Sequence, residues 1–167
     1  MRTPSDAYLR LLSPLLHPCQ IHSVEFVDGD HWLIKAIDDK RQSVLCNVCK
    51  RPGVRFDHNW RKVRHLNFAS KQVFILLELP RVQCMDHGVR NVHQLIAHNY
   101  SKYSPAFQEY IHREYFSGQP IVELAQKLMV PKTTIIRIVQ NVTTRKLEES
   151  SETKDAKNSA PHRLLRP

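Results

Sequence analysis

The chain has 167 residues, 41% of them hydrophobic, and a formal net charge of +9 with a pI near 9.6. That length accommodates one ordinary domain or two small ones, with a core that is adequate rather than generous. Four cysteines are too few and too unevenly placed for a secreted disulfide framework. With no signal-peptide pattern and no apolar run of membrane-spanning length, the composition reads as a soluble protein of a reducing compartment.

The charge is concentrated. Residues 1–39 carry three basic and six acidic side chains, whereas residues 40–72 carry nine basic ones (Lys40, Arg41, Lys50, Arg51, Arg55, Arg61, Lys62, Arg64, Lys71) against Asp57 alone. Residues 98–145 add six basic and three acidic side chains. A polyanion such as double-stranded DNA is the natural partner of such a field.

In chain order, Tyr8, Leu9, Leu11, Leu12, Leu15 and Leu16 have the spacing of a short amphipathic helix, limited by Pro14 and Pro18. Two strand-like runs follow, Ile21–Val27 and His31–Ala36, joined by Asp28-Gly29-Asp30, a hairpin signal. Glu25, Asp28, Asp30, Asp38 and Asp39 fall at turns and strand ends, where solvation and turn formation explain them better than catalysis does.

Next come Cys46-Asn47-Val48-Cys49 and, after a basic excursion, Cys84-Met85-Asp86-His87-Gly88. Two ligand pairs, each with two intervening residues, close one tetrahedral zinc site between two tight turns. Four protein ligands leave no open position, so the expected Zn2+ is structural. His87 is preferred as the fourth ligand because it stands in the pair position to Cys84, with His58, His65, His93 and His98 as competitors. Cys19 reads as a small buried hydrophobe. Between the pairs, residues 61–66 alternate basic and apolar side chains, and the alternation places Val63 inward with Lys62 and Arg64 outward. Arg61, Lys62 and Arg64 are therefore candidate phosphate contacts. Ala69-Ser70 makes a turn into Lys71–Leu79, the most apolar run of the chain, which Pro80 closes.

Residues 99–103 read as a loop. Ser104-Pro105 opens a helix carrying Phe107, Tyr110, Ile111 and Tyr115, and Ser117-Gly118 ends it. Pro120 opens a second helix with Ile121, Leu124, Ala125 and Leu128 inward. After Met129-Val130-Pro131, a third runs from Lys132 to about Arg145 on Ile135, Ile138, Val139 and Val142. The last two helices have the order of a helix-turn-helix, with Met129 where glycine is usual, a position that calls for left-handed backbone. Lys132, Thr133, Thr134, Ile136, Arg137, Gln140 and Asn141 then face outward, six of them polar side chains suited to base edges and phosphates in a major groove. From Lys146 the sequence lacks the apolar residues to bury a core and reads as a disordered tail.

Taken together, Cys46-x2-Cys49, Arg64-His65-Leu66, the run Arg81–Arg90 and the two helices resemble the start of bacterial insertion-sequence transposases of the ISL-three type, over roughly residues 5–145. Lys50 stands where that family usually has glycine. The resemblance implies a zinc ribbon and a helix-turn-helix that bind terminal inverted repeats, and a chain that stops where the family's acidic-triad nuclease domain begins. The expected fold is α+β: residues 1–98 a β-rich domain with the zinc ribbon, 99–146 a helix-turn-helix domain, 147–167 the tail. The expected function is sequence-specific binding of transposon ends or an operator, without cleavage, in the bacterial cytoplasm at the nucleoid. Expected partners are DNA, a second copy of the chain, and a full-length transposase or another protein. A ribbon serving as an adaptor for a protein partner is the alternative. A deaminase is disfavoured, since His112-Arg113-Glu114 follows the cysteines and Leu45, not proline, precedes Cys46.

Overall fold

The computed structural model describes residues 6–96 and 101–158, with side chains described to Ser151. His98 and residues 99–100 and 159–167 therefore lie outside the described residues. Contacts divide the chain into two units, residues 1–107 and 108–167, and the boundary falls within one helix.

The first unit opens with helix α1 (Asp6–Leu12) and a 3-10 turn (Ser13–Leu16). Five strands follow: β1 (Cys19–Val27), β2 (His31–Asp38), β3 (Val54–Phe68), β4 (Lys71–Cys84) and β5 (Gly88–Asn91). They form one sheet in the order β1-β2-β4-β3, with β5 also on β4. Pairs β1–β2, β3–β4 and β4–β5 are antiparallel, whereas β2 and β4 run parallel, Leu33 beside Phe74 and Lys35 beside Leu76. Both hairpin turns anticipated from the sequence are present. Asp28 and Gly29 have φ of 50° and 69°, and Ala69 and Ser70 have 48° and 63°. Two consecutive positive φ values match the right-handed twist of the flanking strands.

One face of the sheet carries the main core. Trp32, Ile34 and Ala36 of β2, Val63 of β3, and Val73, Ile75 and Leu77 of β4 are buried there against Leu12 and Leu16. Their alternation is that of strands with one face against a core. Buried Gln94 closes the edge of this layer. Its amide donates to the Leu16 carbonyl at 2.9 Å and its carbonyl accepts the Ile96 N–H at 3.1 Å. The acidic cluster near the turns is structural where its partners are seen: Arg55 clamps Asp38 (2.7 Å) and Arg41 clamps Asp39 (2.9 Å).

The opposite face corrects one expectation. Arg64 points away from Val63, as alternation requires, but it is only 5% exposed. Residues 101–104 run beside it: Arg64 N–H donates to the Lys102 carbonyl (2.8 Å) and Ser104 N–H donates to the Arg64 carbonyl (2.9 Å). Its guanidinium lies 5.2 Å from the Phe74 ring centroid and 5.3 Å from that of Phe107, and donates to Asn67 Oδ1 at 2.7 Å. Burial lowers its pKa to about 10, so it remains a cation at neutral pH. Arg64 thus holds the chain that enters the next helix and is withdrawn from any phosphate.

Helix α2 (Pro105–Phe116) starts as the sequence predicts, with Ser104 Oγ accepting the Phe107 N–H at 3.2 Å and Pro105 in the first turn. In the second unit, helix α3 (Ile121–Leu128) leads through Met129–Pro131 into α4 (Lys132–Asn158). Met129 is left-handed (φ 52°, ψ 48°), and the N–H groups of Met129 and Val130 return to the carbonyls of Gln126 and Ala125. This is a two-bond C-cap that normally selects glycine, here held by methionine. Leu124, Leu128, Val130, Ile135, Ile138, Val139 and Val142 are buried. Helix α4 also continues through residues 147–158, assigned above to a disordered tail. Residues 146–151 of it are exposed and present no core-forming face. Once a helix is nucleated, however, each added residue gains a hydrogen bond without needing burial.

His65 adds a pH dependence. It is 4% exposed, its Nδ1 is 2.8 Å from Ser104 Oγ, and burial pushes its pKa down from 6.5 to about 4. The folded state therefore holds it neutral while the unfolded chain takes up a proton below pH 6.5. Its contribution is complete above that pH and is lost progressively as pH falls toward 4, up to about 3 kcal/mol by linkage. Denaturation of His65→Asn at saturating zinc is expected to show lower stability at pH 7.5 and a shallower fall between pH 6.5 and 4. An unaltered slope assigns the acid sensitivity to other groups.

Candidate metal centre and basic surfaces

The first ligand pair sits on a turn closed by backbone bonds. Leu45 bridges Pro52, Cys46 N–H donates to the Arg51 carbonyl, and Lys50 N–H donates to the Cys46 carbonyl, both at 2.9 Å. Lys50 has φ of 59°, so the lysine at the usual glycine position adopts the conformation glycine would supply. Val48 N–H points at Cys46 Sγ, 3.4 Å away. The second pair is the turn between β4 and β5. Cys84 ends β4, and Gly88, with φ of 66°, returns the chain to pair with it.

Three further contacts bring the turns together. Cys46 bridges Val92, His93 N–H donates to the Leu45 carbonyl (2.8 Å), and Arg51 pairs with Asp86 across the turns (3.0 Å). Gly53 lies so close to β4 that a β-carbon would sit 2.4 Å from Val82 Cγ2 and 2.6 Å from the Gln83 carbonyl oxygen. Beneath them is a separate small core of Val44, Cys46, Val82, Cys84 and Val92.

The ligand atoms of Cys46, Cys49, Cys84 and His87 all lie within 4.8 Å of one another. Cys49 and Cys84 sulfurs are 3.6 Å apart, and Cys84 Sγ is 3.5 Å from His87 Nδ1. Tetrahedral zinc with bonds of ~2.3 Å to sulfur and ~2.0 Å to nitrogen sets ligand separations of about 3.5–3.8 Å. The donor set and spacing therefore fit one structural zinc ion. Burial opposes ionisation of Cys46, but N–H groups of Cys49 and Val48 and the neighbouring thiols outweigh it and hold its pKa low. Arg51 N–H favours a Cys49 thiolate, yet burial and the sulfurs of Cys84 and Cys46 push that thiol up. A dication among the sulfurs relieves this mutual repulsion. The competing histidines within the described residues are engaged elsewhere: His65 with Ser104, His93 Nδ1 with Lys50 Nζ (3.0 Å), and His58 Nε2 near Glu78 (3.6 Å).

The basic candidates fare differently. Lys62 is exposed, with its ammonium 4.4 Å from the Phe74 ring centroid. Arg61 is half-buried and donates to the Ser101 carbonyl at 2.9 Å. Arg64 is buried. On α4, Lys132, Thr133, Ile136, Arg137, Gln140 and Asn141 are exposed and Thr134 is half-buried, on the side away from Ile135, Ile138, Val139 and Val142. Sequence reasoning passed over the close approach at Gly53, although a glycine four residues beyond a Cys-x2-Cys turn was a visible signal. It also passed over exposed Trp60.

Metal analysis of the purified chain is expected to give one zinc per molecule. Cys49→Ser is expected to weaken zinc binding by more than the ~10–100-fold typical of losing an outer-shell partner, and a second zinc, or none, would contradict the site. Gly53→Ala is expected to lower the thermal midpoint by forcing β3 from β4; an unchanged midpoint would refute the close approach. Among the described residues, no helix is long and apolar enough to cross a membrane. No curated protein and no solved structure matches the chain. Residues 42–87, the stretch bounded by these two turns, match the family described as the zinc-finger of transposase IS204/IS1001/IS1096/IS1165.

Proposed function

We propose that this chain is a sequence-specific double-stranded DNA-binding protein related to transposases, in which the zinc ribbon stabilises a basic platform and α3–α4 acts as a helix-turn-helix. The observation that carries the reading is the match of residues 42–87 to a transposase zinc finger, on a stretch whose four ligands converge. The polar face of α4 supports the finer part. Helix α4 follows a three-residue turn, is anchored by Ile135 and Ile138, and exposes Lys132, Thr133, Arg137, Gln140 and Asn141. Arginine and amide side chains at the start of such a helix suit guanine and adenine edges, while Lys132 and the threonines suit phosphates. Lys62, and Arg61 if it leaves Ser101, would add phosphate contacts from the sheet. Transposon ends or an operator are the targets, bound without strand cleavage by this chain, as a homodimer or together with a full-length transposase. Such a protein belongs in a bacterial cytoplasm, at the nucleoid.

Selection from a random duplex pool is expected to return a defined site. On that site Arg137→Ala is expected to weaken binding roughly 5- to 150-fold, the cost of one lost base contact. Absence of any sequence preference, with no effect of Arg137→Ala, would refute base readout. Exposed Ile136 on the same face favours a second reading, a zinc-ribbon adaptor that docks a protein. Association insensitive to salt, with a protein and without DNA, would select it.

A further inference from the structure

The sheet face opposite the main core is only partly covered. Neighbouring strands align Lys35 of β2, Leu76 of β4 and Lys62 of β3 in one row, and the next row places Trp60 beside Glu78. Alternation sets all of these away from buried Trp32, Ile34, Val63, Ile75 and Leu77. Trp60 is 47% exposed, and Lys62 is exposed too. Lys35 Nζ stands 5.3 Å from the Trp60 ring centroid. Among the described residues neither Lys35 nor Lys62 has a carboxylate partner, whereas Glu78 is committed to the Asp38 N–H (3.2 Å) and lies near His58.

A half-exposed indole here stands beside the Lys35 ammonium, with Lys62 on the same sheet face and its ammonium over the Phe74 ring. We propose that Trp60 and Lys35 form a second nucleic-acid site, adjoining the duplex surface through Lys62, which takes an unpaired segment of DNA by stacking a base on the indole and holding a flanking phosphate with Lys35. The charge complementarity selects a polyanion over a neutral apolar peptide. The indole selects a single strand, because in a duplex the base faces are occupied by their neighbours and only edges and phosphates remain accessible. The choice of DNA over RNA rests on the transposase-related reading above; the choice of an unpaired strand rests on Trp60.

The chain has two tryptophans, and Trp32 is 5% exposed, so Trp60 dominates any change in emission caused by a surface ligand. Titrating the full zinc-loaded chain with a twelve-residue oligo-dT is expected to quench its fluorescence. Trp60→Leu is expected to weaken oligo-dT binding about tenfold, Trp60→Phe to restore most of it, and Lys35→Ala to weaken it severalfold. Binding of the selected duplex is expected to be unaffected by Trp60→Leu. Oligo-dT binding without quenching, or equal loss of single-stranded and duplex binding in Trp60→Leu, would overturn the proposal. Tighter binding of oligo-rU than of oligo-dT would overturn the choice of DNA. Loss of the duplex site with Trp60-dependent oligo-dT binding intact would defeat the helix-turn-helix reading and leave this one standing.

Discussion

The constraint on which the first unit depends is convergence of Cys46, Cys49, Cys84 and His87. Strands β3 and β4 are 15 and 14 residues long, but the main core reaches only their connected ends, with Val63 and Val73 to Leu77. Their far ends rest on five small buried residues, and two of those, Cys46 and Cys84, are ligands. The remaining three valines bury enough for about 1.5–3 kcal/mol each, against the ordering of two turns at about 1–2 kcal/mol per residue. A structural zinc ion, with apparent binding energies of about 10–16 kcal/mol in small zinc domains, is large enough to reverse that balance. Metal coordination therefore replaces hydrophobic burial at this end of the hairpin, and the strands can extend beyond their core because of it.

The chemistry that makes the site was the most legible part of the sequence, because it is local. Two pairs at fixed spacing, a turn-permitting Gly88, and the turns Asp28-Gly29 and Ala69-Ser70 each declare themselves within a few residues. The same holds for Ser104-Pro105 and for the periodic apolar positions of α3 and the first half of α4. What was not legible is what depends on distant chain. Parallel pairing of β2 with β4 leaves no local mark, since a strand's own pattern specifies which face is buried and not which neighbour it takes. Strand character from Val54 onward was legible, but that residues 54–68 form one unbroken strand was not, because most of Val54–Trp60 is exposed and carries no core face.

Arg64 shows why the direction of a side chain and its exposure are different questions. Alternation in β3 fixed its direction correctly. Its burial comes from residues 101–107, some forty positions later, which pair with its backbone and lay Phe107 over its guanidinium. Desolvating a cation is unfavourable, and the two aromatic faces, Asn67 and the field of Asp30 offset part of that. The same face of the sheet then has two kinds of cation: Arg64, consumed by the fold, and Lys62 two residues before it, still facing water. A sequence-level tally of positive charge counts them alike, and only the second is available to a polyanion.

Buried polar contacts at this junction also explain why the sheet and the first turn of α2 form one structural unit. Ser104 Oγ accepts the Phe107 N–H, which leaves its own proton to donate to an unprotonated His65 Nδ1. Protonating His65 would remove that acceptor and place a charge at a ring only 4% exposed. The helix cap, the neutral histidine and the buried arginine are therefore one coupled arrangement. It holds residues 101–107 against β3 by pairing Ser104 Oγ, His65 Nδ1 and the Arg64 backbone, while Arg64 Nε, which has no acceptor among the described residues, lies between aromatic faces. Order at the start of α2 is in this way set by the strand that the zinc-bound turns hold in register.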